Sequence, residues 1–137
     1  MYLLDTNVVS ELRKGTRGDR NVNAWYSRVA EEETFLCALV IGEIRKGIET
    51  IRDRDPHQAS VLNSWLLNLR RQYDGRILPV DDEIAEAWGR MYYVRNVSPI
   101  DGLLAATALV HNLTLVTRNF SDVEGLGVEI LNPFQSQ

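Results

Sequence analysis

Short apolar segments alternate with helical stretches along the whole chain, and this alternation restricts the fold more than any other feature. Apolar runs bounded by polar residues predict strands at 1–4, 34–37, 76–80, 113–117 and 128–131. Helical spacing predicts helices over 6–14, 19–30, 38–52, 56–73, 81–95 and 100–112, with loops at 96–99 and 119–127. Such alternation indicates an α/β fold, in which helices cover both faces of a parallel sheet.

The length and composition are those of one globular domain. The chain has 137 residues, of which 45% are hydrophobic and 25% are charged. We therefore expect a single domain over residues 1–137 with a substantial core. The net charge of −4 argues against a large nonspecific surface for nucleic acid, but it allows a local basic rim around an acidic pocket.

Cys37 is the only cysteine, which excludes an intramolecular disulfide and a cysteine-rich zinc site. Its neighbours are apolar, so we expect a small buried side chain. No apolar run approaches the roughly 18 residues of a membrane span. The chain also lacks the charged and apolar regions of a signal peptide, so a cytoplasmic location is the expectation.

Four acidic residues lie where such a sheet brings them near one another. Asp5 ends the first strand, and the carboxyl ends of parallel strands are where open α/β sheets bind ligands. Glu43 lies one turn into the helix after the second strand. Asp101 lies in the first turn of the helix before the fourth strand, and Asp122 lies in the loop after that strand. Thr6 is expected to cap the helix that follows Asp5.

Two of these acids also have simple structural interpretations. Asp101 follows Ser98 at the spacing of a capping box, so it could serve only the helix terminus. Glu43 could pair with Lys46, three residues later. The setting of Glu43 favours a functional role, because its neighbours are apolar and Gly47 leaves space one turn on.

The evidence for a functional role is weaker at the remaining acids and at the two histidines. Asp122 alone is an ordinary loop acid. Asp81 and Asp82 are most simply helix caps, and we leave them out of the site. His57 and His111 stand alone, so a structural or solvent-exposed role is assigned to each.

Clustered carboxylates require a compensating charge, since their repulsion favours protonation of one of them or binding of a cation. With no cysteine or histidine nearby, the matching cation is Mg²⁺, with Mn²⁺ as a substitute. Mg²⁺ held by carboxylates takes further ligands from substrate phosphates. The reaction expected of such a site is metal-assisted hydrolysis of a phosphodiester, in which one or two cations activate water and stabilise the leaving oxygen.

Four motifs, taken in this order, resemble those of the PIN domain. They are Leu3–Leu12, Val40–Ile48, Pro99–Ala108 and Leu115–Asp122, followed by Gly125–Val128 and Asn132–Pro133. The resemblance covers essentially the whole chain and is closest to toxin ribonucleases of the VapC type, in the branch that includes FitB-like proteins. The chain departs from the pattern at Ala38, where many relatives have Ser or Thr, and at Asn119, where many have an acid.

The resemblance implies a three-layer PIN-like fold whose five parallel strands follow the order 3-2-1-4-5. It also implies that Asp5, Glu43 and Asp101 form the Mg²⁺ site and that Asp122 is the fourth catalytic and metal-binding acid. The departure at Asn119 leaves open whether Asn119 or Asp122 fills the fourth position. The residues expected to orient the carboxylates or a metal-bound water are Asn7, Thr117 and Asn119.

By the same resemblance, the chain is the toxin of a toxin–antitoxin pair. The implied partners are a small VapB-like antitoxin with a DNA-binding part, an RNA substrate and a second copy of the chain. The antitoxin is expected to lay a helix in an apolar groove and to place a basic side chain in the acidic pocket. Binding of RNA beside so many acids requires cations. The candidates, each of which could instead belong to a solvated helix face, are Arg13, Lys14, Arg17, Arg45 and Lys46.

Other functions remain open at the level of sequence. A PIN nuclease that processes RNA or cuts structured DNA, without being a toxin, is the nearest alternative. A phosphoacceptor receiver module needs a lysine after a late strand, whereas this chain has Thr117 and Arg118 there. A phosphatase of the haloacid-dehalogenase type needs a second Asp where Asn7 stands. A binding protein with a vestigial site is disfavoured because all four acids are present.

Overall fold

The computed structural model describes all 137 residues, and it contains one five-stranded sheet. The strands are β1 (Tyr2–Leu4), β2 (Thr34–Cys37), β3 (Ile77–Leu78), β4 (Thr114–Val116) and β5 (Ile130–Leu131). They lie in the order β3-β2-β1-β4-β5, and every neighbouring pair is parallel. The expected α/β class and strand order are confirmed.

Seven α-helices connect the strands. They are α1 (Thr6–Arg13), α2 (Arg20–Ser27), α3 (Ala38–Ile51), α4 (Pro56–Gln72), α5 (Asp82–Met91), α6 (Pro99–Val110) and α7 (Phe120–Val123). The first six match predicted helices to within a few residues at each end. The loop expected at 119–127 is wrong in part, because it contains α7. A helix of one turn is too short to show a periodic pattern in sequence.

β3 and α5 are among the elements that end earlier than the sequence predicts. β3 stops at Leu78 because Pro79 follows it and has no N–H to donate to a neighbouring strand. α5 stops at Met91, and the Arg95 N–H donates back to the Met91 carbonyl at 3.1 Å. The guanidinium of Arg95 donates to the backbone carbonyls of Ser121 and Asp122, which anchors α7 to the end of α5.

The core lies between the sheet and its helices and contains 28 buried hydrophobic residues. Leu3 and Leu4 of β1 are both fully buried, as a central strand covered on two faces requires. Cys37 is also fully buried, which confirms its predicted role as a small core side chain. Trp25 packs edge-to-face on Tyr2, with ring centroids 5.3 Å apart.

α5 and α6 approach each other closely at Gly102. A Cβ at this position would lie 2.8 Å from Cδ1 of Trp88 and 3.0 Å from Cγ1 of Val97. The contact therefore requires glycine, and it fixes the first turn of α6 against α5.

None of the helices combines the length and the apolar composition that a membrane span needs.

Candidate metal centre

The candidate site lies at the carboxyl edge of the two central strands. β1 pairs with β4, so Asp5 and Thr117, which follow these strands, are neighbours. The Asp5 N–H extends the ladder by donating to the Val116 carbonyl at 2.9 Å. From β1 the chain continues to β2 on one side, and from β4 it continues to β5 on the other. The site therefore lies at the switch point at which open α/β sheets bind ligands.

Both oxygens of the buried Asp5 carboxylate accept hydrogen bonds. Oδ1 accepts from the Thr6 N–H at 2.7 Å, and Oδ2 accepts from the Thr117 hydroxyl at 2.8 Å and the Asn7 amide at 3.3 Å. Asp5 has extended backbone angles and caps α1. The prediction that Thr6 is the cap is wrong, because Asp5 takes that position and leaves Thr6 as the first helical residue.

Thr6 instead binds Glu43. Its hydroxyl donates to Oε1 of Glu43 at 2.6 Å, which ties α3 to the end of β1. The alternative pairing with Lys46 does not form, since the ion pairs of the structure do not include it. Gly47 does not provide the space expected beside Glu43, because a Cβ at this position would meet nothing within 4 Å.

The loop after β4 is held to Asp5 by a short network of polar side chains. The Asn7 amide lies 3.4 Å from the Thr117 hydroxyl, and its Oδ1 accepts from the Arg118 N–H at 3.2 Å. The Thr117 hydroxyl oxygen also accepts from the Asn119 N–H at 3.0 Å. Asn7 and Thr117 therefore fix the position of the Asp5 carboxylate, and Asn119 contributes through its backbone.

Asp101 lies in the first turn of α6, and its Oδ2 accepts from the Ser98 hydroxyl at 2.7 Å. Ser98 is the cap residue by position, but its side chain does not bind the helix backbone. The hydrogen bonds of a capping box therefore do not form, and that interpretation of Asp101 is wrong. The serine hydroxyl binds the carboxylate of Asp101 directly.

The three acids act on one another electrostatically. Burial raises the pKa of Asp5 above its usual value of 3.8, and the charges of Glu43 and Asp101 raise it further. The hydrogen bonds from Thr117 and Thr6 oppose this effect. No arginine or lysine forms an ion pair with any of the three.

Asp122 stands apart from these acids. It is exposed in α7, and the structure gives its side chain no hydrogen bond. Only its backbone is engaged: the carbonyl accepts from Arg95, and the N–H donates to the Asn119 carbonyl at 3.1 Å. The structure thus brings Asp5, Glu43 and Asp101 into one charge cluster and leaves Asp122 outside it, with Asn119 linked through Thr117.

The donor set suits a hard cation, although the side chains are not arranged around one. No group of three His, Cys, Asp or Glu side chains is positioned to hold a metal ion as it stands. The Thr6 and Ser98 hydroxyl groups engage Glu43 and Asp101 instead. Burial and the charges of Glu43 and Asp101 oppose the ionisation of Asp5, and Mg²⁺ or Mn²⁺ bound among these carboxylates would relieve that cost.

The cations proposed from sequence differ in their surroundings. Lys14 pairs with Glu11 at 2.9 Å, Arg45 pairs with Glu49 at 3.4 Å, and Arg13 stacks on Trp65. Lys46 forms no ion pair and lines a cavity of about 470 Å³ beside Glu43. The apolar walls of this cavity are built by Ala38, Leu39, Pro79, Val80 and Ile100.

Sequence reasoning did not single out Arg118. Its N–H binds Asn7, which binds Asp5, so it lies at the rim of the site. The sequence feature that could have identified Arg118 is its position directly after Thr117, at the end of β4.

Comparison with known proteins identifies the family. Residues 2–123 match the model of the PIN domain. Toxin FitB of Neisseria gonorrhoeae is 32% identical over 140 residues, covering 98% of this chain and 99% of that protein. VapC ribonuclease Y4jK of Sinorhizobium fredii is 32% identical over 143 residues, with the same coverage. A structure of FitAB bound to an IR36 DNA fragment matches with a TM-score of 0.89 at 28% identity, covering 100% of this chain and 98% of that one. The chain therefore belongs to the PIN-domain family, among the toxins of the FitB and VapC type.

Proposed function

We propose that this chain is a metal-dependent endoribonuclease that acts as the toxin of a toxin–antitoxin pair. The observation that carries the proposal is the cluster of Asp5, Glu43 and Asp101 at the switch point of the sheet, without a compensating basic residue. The full-length similarity to a VapC ribonuclease and to toxin FitB supports it.

In this proposal, Asp5, Glu43 and Asp101 hold Mg²⁺, or Mn²⁺ in its place, and Asp122 is a fourth, peripheral acid. A divalent cation bound there supplies charge for the phosphate oxygens and lowers the pKa of water, which is the chemistry that phosphodiester hydrolysis needs. Mg²⁺ accepts such carboxylates and retains positions for water and phosphate.

The remaining polar residues orient the Asp5 carboxylate. The Thr117 hydroxyl and the Thr6 N–H both donate to Asp5, which favours its charged form against the cost of burial. The Asn7 amide holds the loop after β4 against the same carboxylate. The orientation of the Asp5 carboxylate is thus set before RNA binds, and this lowers the entropic cost of reaching the reactive arrangement.

The proposed partner is a small antitoxin with a DNA-binding part, as the similarity to a DNA-bound FitAB complex suggests. The apolar cavity beside Glu43 suits an apolar helical segment, and a basic side chain of the antitoxin would compensate the acids. We further propose that the chain forms homodimers within this assembly and acts in the cytoplasm.

A matched pair of variants on α3 tests the ribonuclease activity. Glu43→Gln removes a site carboxylate, whereas Glu49→Gln removes an exposed one that pairs with Arg45 and Arg52. With Mg²⁺ and total cellular RNA, Glu43→Gln should lose at least about 100-fold in cleavage rate. Glu49→Gln should cleave like the wild type, and EDTA should stop both. Equal cleavage by the two variants would contradict the proposed site.

Expression in a bacterial host tests the toxin role. The wild type should arrest growth, Glu43→Gln should not, and co-expression of the small protein encoded beside the toxin gene should restore growth. Cleavage of RNA in vitro without growth arrest would instead support a PIN nuclease of RNA processing. Growth arrest by Glu43→Gln would show that toxicity does not come from this site.

A further inference from the structure

Arg118 is fixed to the site through its backbone. Its N–H donates to Oδ1 of Asn7 at 3.2 Å, and Nδ2 of Asn7 lies 3.3 Å from Oδ2 of Asp5. The preceding residue, Thr117, donates its hydroxyl to the same carboxylate oxygen. Arg118 is therefore two hydrogen bonds from Asp5, at the rim on the β5 side.

The guanidinium of Arg118 stacks on the ring of Phe134, with its carbon 4.4 Å from the ring centroid. The ring is itself held, because the Phe134 N–H donates to Oδ1 of Asn132 and its carbonyl accepts from Nδ2 of Asn21 at 2.8 Å. Cation–π stacking of this kind favours one orientation of a long side chain and so reduces the entropy lost when the group binds.

The charge of Arg118 has no partner within the chain. The arginine is exposed, and the ion pairs of the structure are formed by Lys14, Arg45, Arg52 and Arg76. Its guanidinium donates no hydrogen bond, whereas that of Arg95 is used on backbone carbonyls. A stacked, oriented guanidinium with free N–H groups is suited to a phosphate, which it can bind with two parallel hydrogen bonds.

We propose that Arg118, held by Phe134, binds a backbone phosphate of the RNA next to the scissile bond. The inference rests on the proposed function and assigns a substrate contact to it. A site with three clustered acids repels a polyanion, so a cation beside it is needed to hold the strand. Arg118 meets this need on the β5 side, as Lys46 does beside Glu43 on the opposite side of Asp5.

The salt dependence of RNA binding tests this contact. Binding of a fluorescent pool of randomised single-stranded RNA is measured in an Asp101→Asn background, which prevents cleavage. A phosphate contact does not depend on sequence, and each contact to a single strand contributes about 0.7 to the slope of log K against log salt. Arg118→Gln should therefore bind more weakly and lower the slope by about 0.7. Arg118→Lys, which keeps the charge, should restore the slope.

Two further variants separate charge from structure. Arg54→Gln removes an exposed arginine beyond the far end of α3 and should leave the slope unchanged. Phe134→Leu removes the aromatic ring that stacks on Arg118 but removes no charge. It should weaken RNA binding, while the slope of log K against log salt stays that of the parent protein.

An unchanged slope in Arg118→Gln would overturn the proposal. Loss of binding to a co-expressed antitoxin with RNA binding intact would also overturn it, since the arginine would then serve a protein partner. Cleavage of the same RNA pool by the chain with Asp101 intact is measured in parallel. Absence of that cleavage reports failure of the proposed function, whereas cleavage with an unchanged slope reports failure of the Arg118 contact alone.

Discussion

The Thr6 hydroxyl donates a 2.6 Å hydrogen bond to Glu43 Oε1 across 37 residues of sequence. This bond joins the first residue of α1 to α3. The position of Glu43 therefore depends on α1, the helix that Asp5 caps. The site is therefore a property of two helices as well as of the sheet edge.

Thr6→Val keeps the shape of the side chain and removes this hydrogen bond. We expect about a tenfold loss of cleavage rate and a shift to higher Mg²⁺ for half-maximal rate, because Glu43 loses its orientation. Thr6→Ser should retain both values. Thr50→Val is the control, since Thr50 lies on the exposed face of α3 and binds only the Lys46 carbonyl. An unchanged Mg²⁺ dependence in Thr6→Val would show that the bond has no functional role.

Asp5 should make stability depend on pH in the metal-free protein. Burial raises its pKa above 3.8, so the folded chain retains this proton to a higher pH than the unfolded chain does. Between the two pKa values, the free energy of unfolding falls as pH rises, because ionisation of the buried carboxyl opposes folding.

Urea unfolding in EDTA between about pH 4 and about pH 7 measures this effect. The stability of the wild type relative to Asp5→Asn should decrease as the pH rises through this window. Asp53→Asn, on an exposed turn, serves as the control and should follow the wild type. Parallel curves for the wild type and Asp5→Asn would contradict the expected shift.

Near neutral pH, Mg²⁺ should offset the loss of folding stability that ionisation of Asp5 causes. A ligand that binds only the folded state adds about 2.7 kcal/mol at 100 times its dissociation constant. The melting temperature of the wild type should therefore rise by several degrees with saturating Mg²⁺, and that of Glu43→Gln should rise much less. Glu49→Gln should respond like the wild type. Equal responses from all three proteins would indicate that Mg²⁺ binds elsewhere.

Asp122 and Asp101 should differ in their importance for cleavage. Asp101 belongs to the charge cluster that acts on Asp5, whereas the side chain of Asp122 is exposed and makes no hydrogen bond. Asp101→Asn should lower the cleavage rate by more than about 100-fold and Asp122→Asn by less than about tenfold. Single-turnover rates with excess enzyme provide the comparison. The reverse order would place the fourth acid at the centre of the site.

Gly102→Ala should destabilise the chain by about 1–3 kcal/mol, since its Cβ would overlap Trp88 and Val97. Gly47→Ala is the matched control within a helix, because a Cβ there meets nothing within 4 Å. It should stabilise the protein by about 0.5–1 kcal/mol. Denaturant midpoints measure both effects, and equal midpoints would contradict the close contact between α5 and α6.

The sequence was informative where one local pattern decides the structure. β2 was predicted with its exact bounds, and Asp81 caps α5 as expected. The ends of β3 and α5 were predicted less well. β3 stops before Pro79, a local signal that the prediction passed over, whereas Arg95, at the predicted end of α5, binds Ser121 and Asp122, which are distant in sequence. The strand order came from the family resemblance, since local patterns specify elements and not their arrangement.

Long-range side-chain contacts explain what sequence reasoning missed at the site. The Thr6 hydroxyl could bind its own helix or a distant acid, and only the packing of α3 decides for Glu43. Arg118 resembles any loop arginine until β5 brings Phe134 beside it. The separation of Asp122 from the other acids likewise depends on α7. This helix has a single turn, which is too short to be recognised from a periodic pattern in the sequence.

The bond between Asp5 and Thr117 spans 112 residues, so the candidate site joins β1 to a strand that the ribosome makes much later. A nascent chain that stops before β4 has no neighbour for that edge of β1, and its Asp5 lacks the hydroxyl that orients it. Domains fold as their elements emerge, and a parallel sheet closes only when its distant strands are available. A fragment released before β4 is made therefore lacks Thr117 and with it one side of the candidate site.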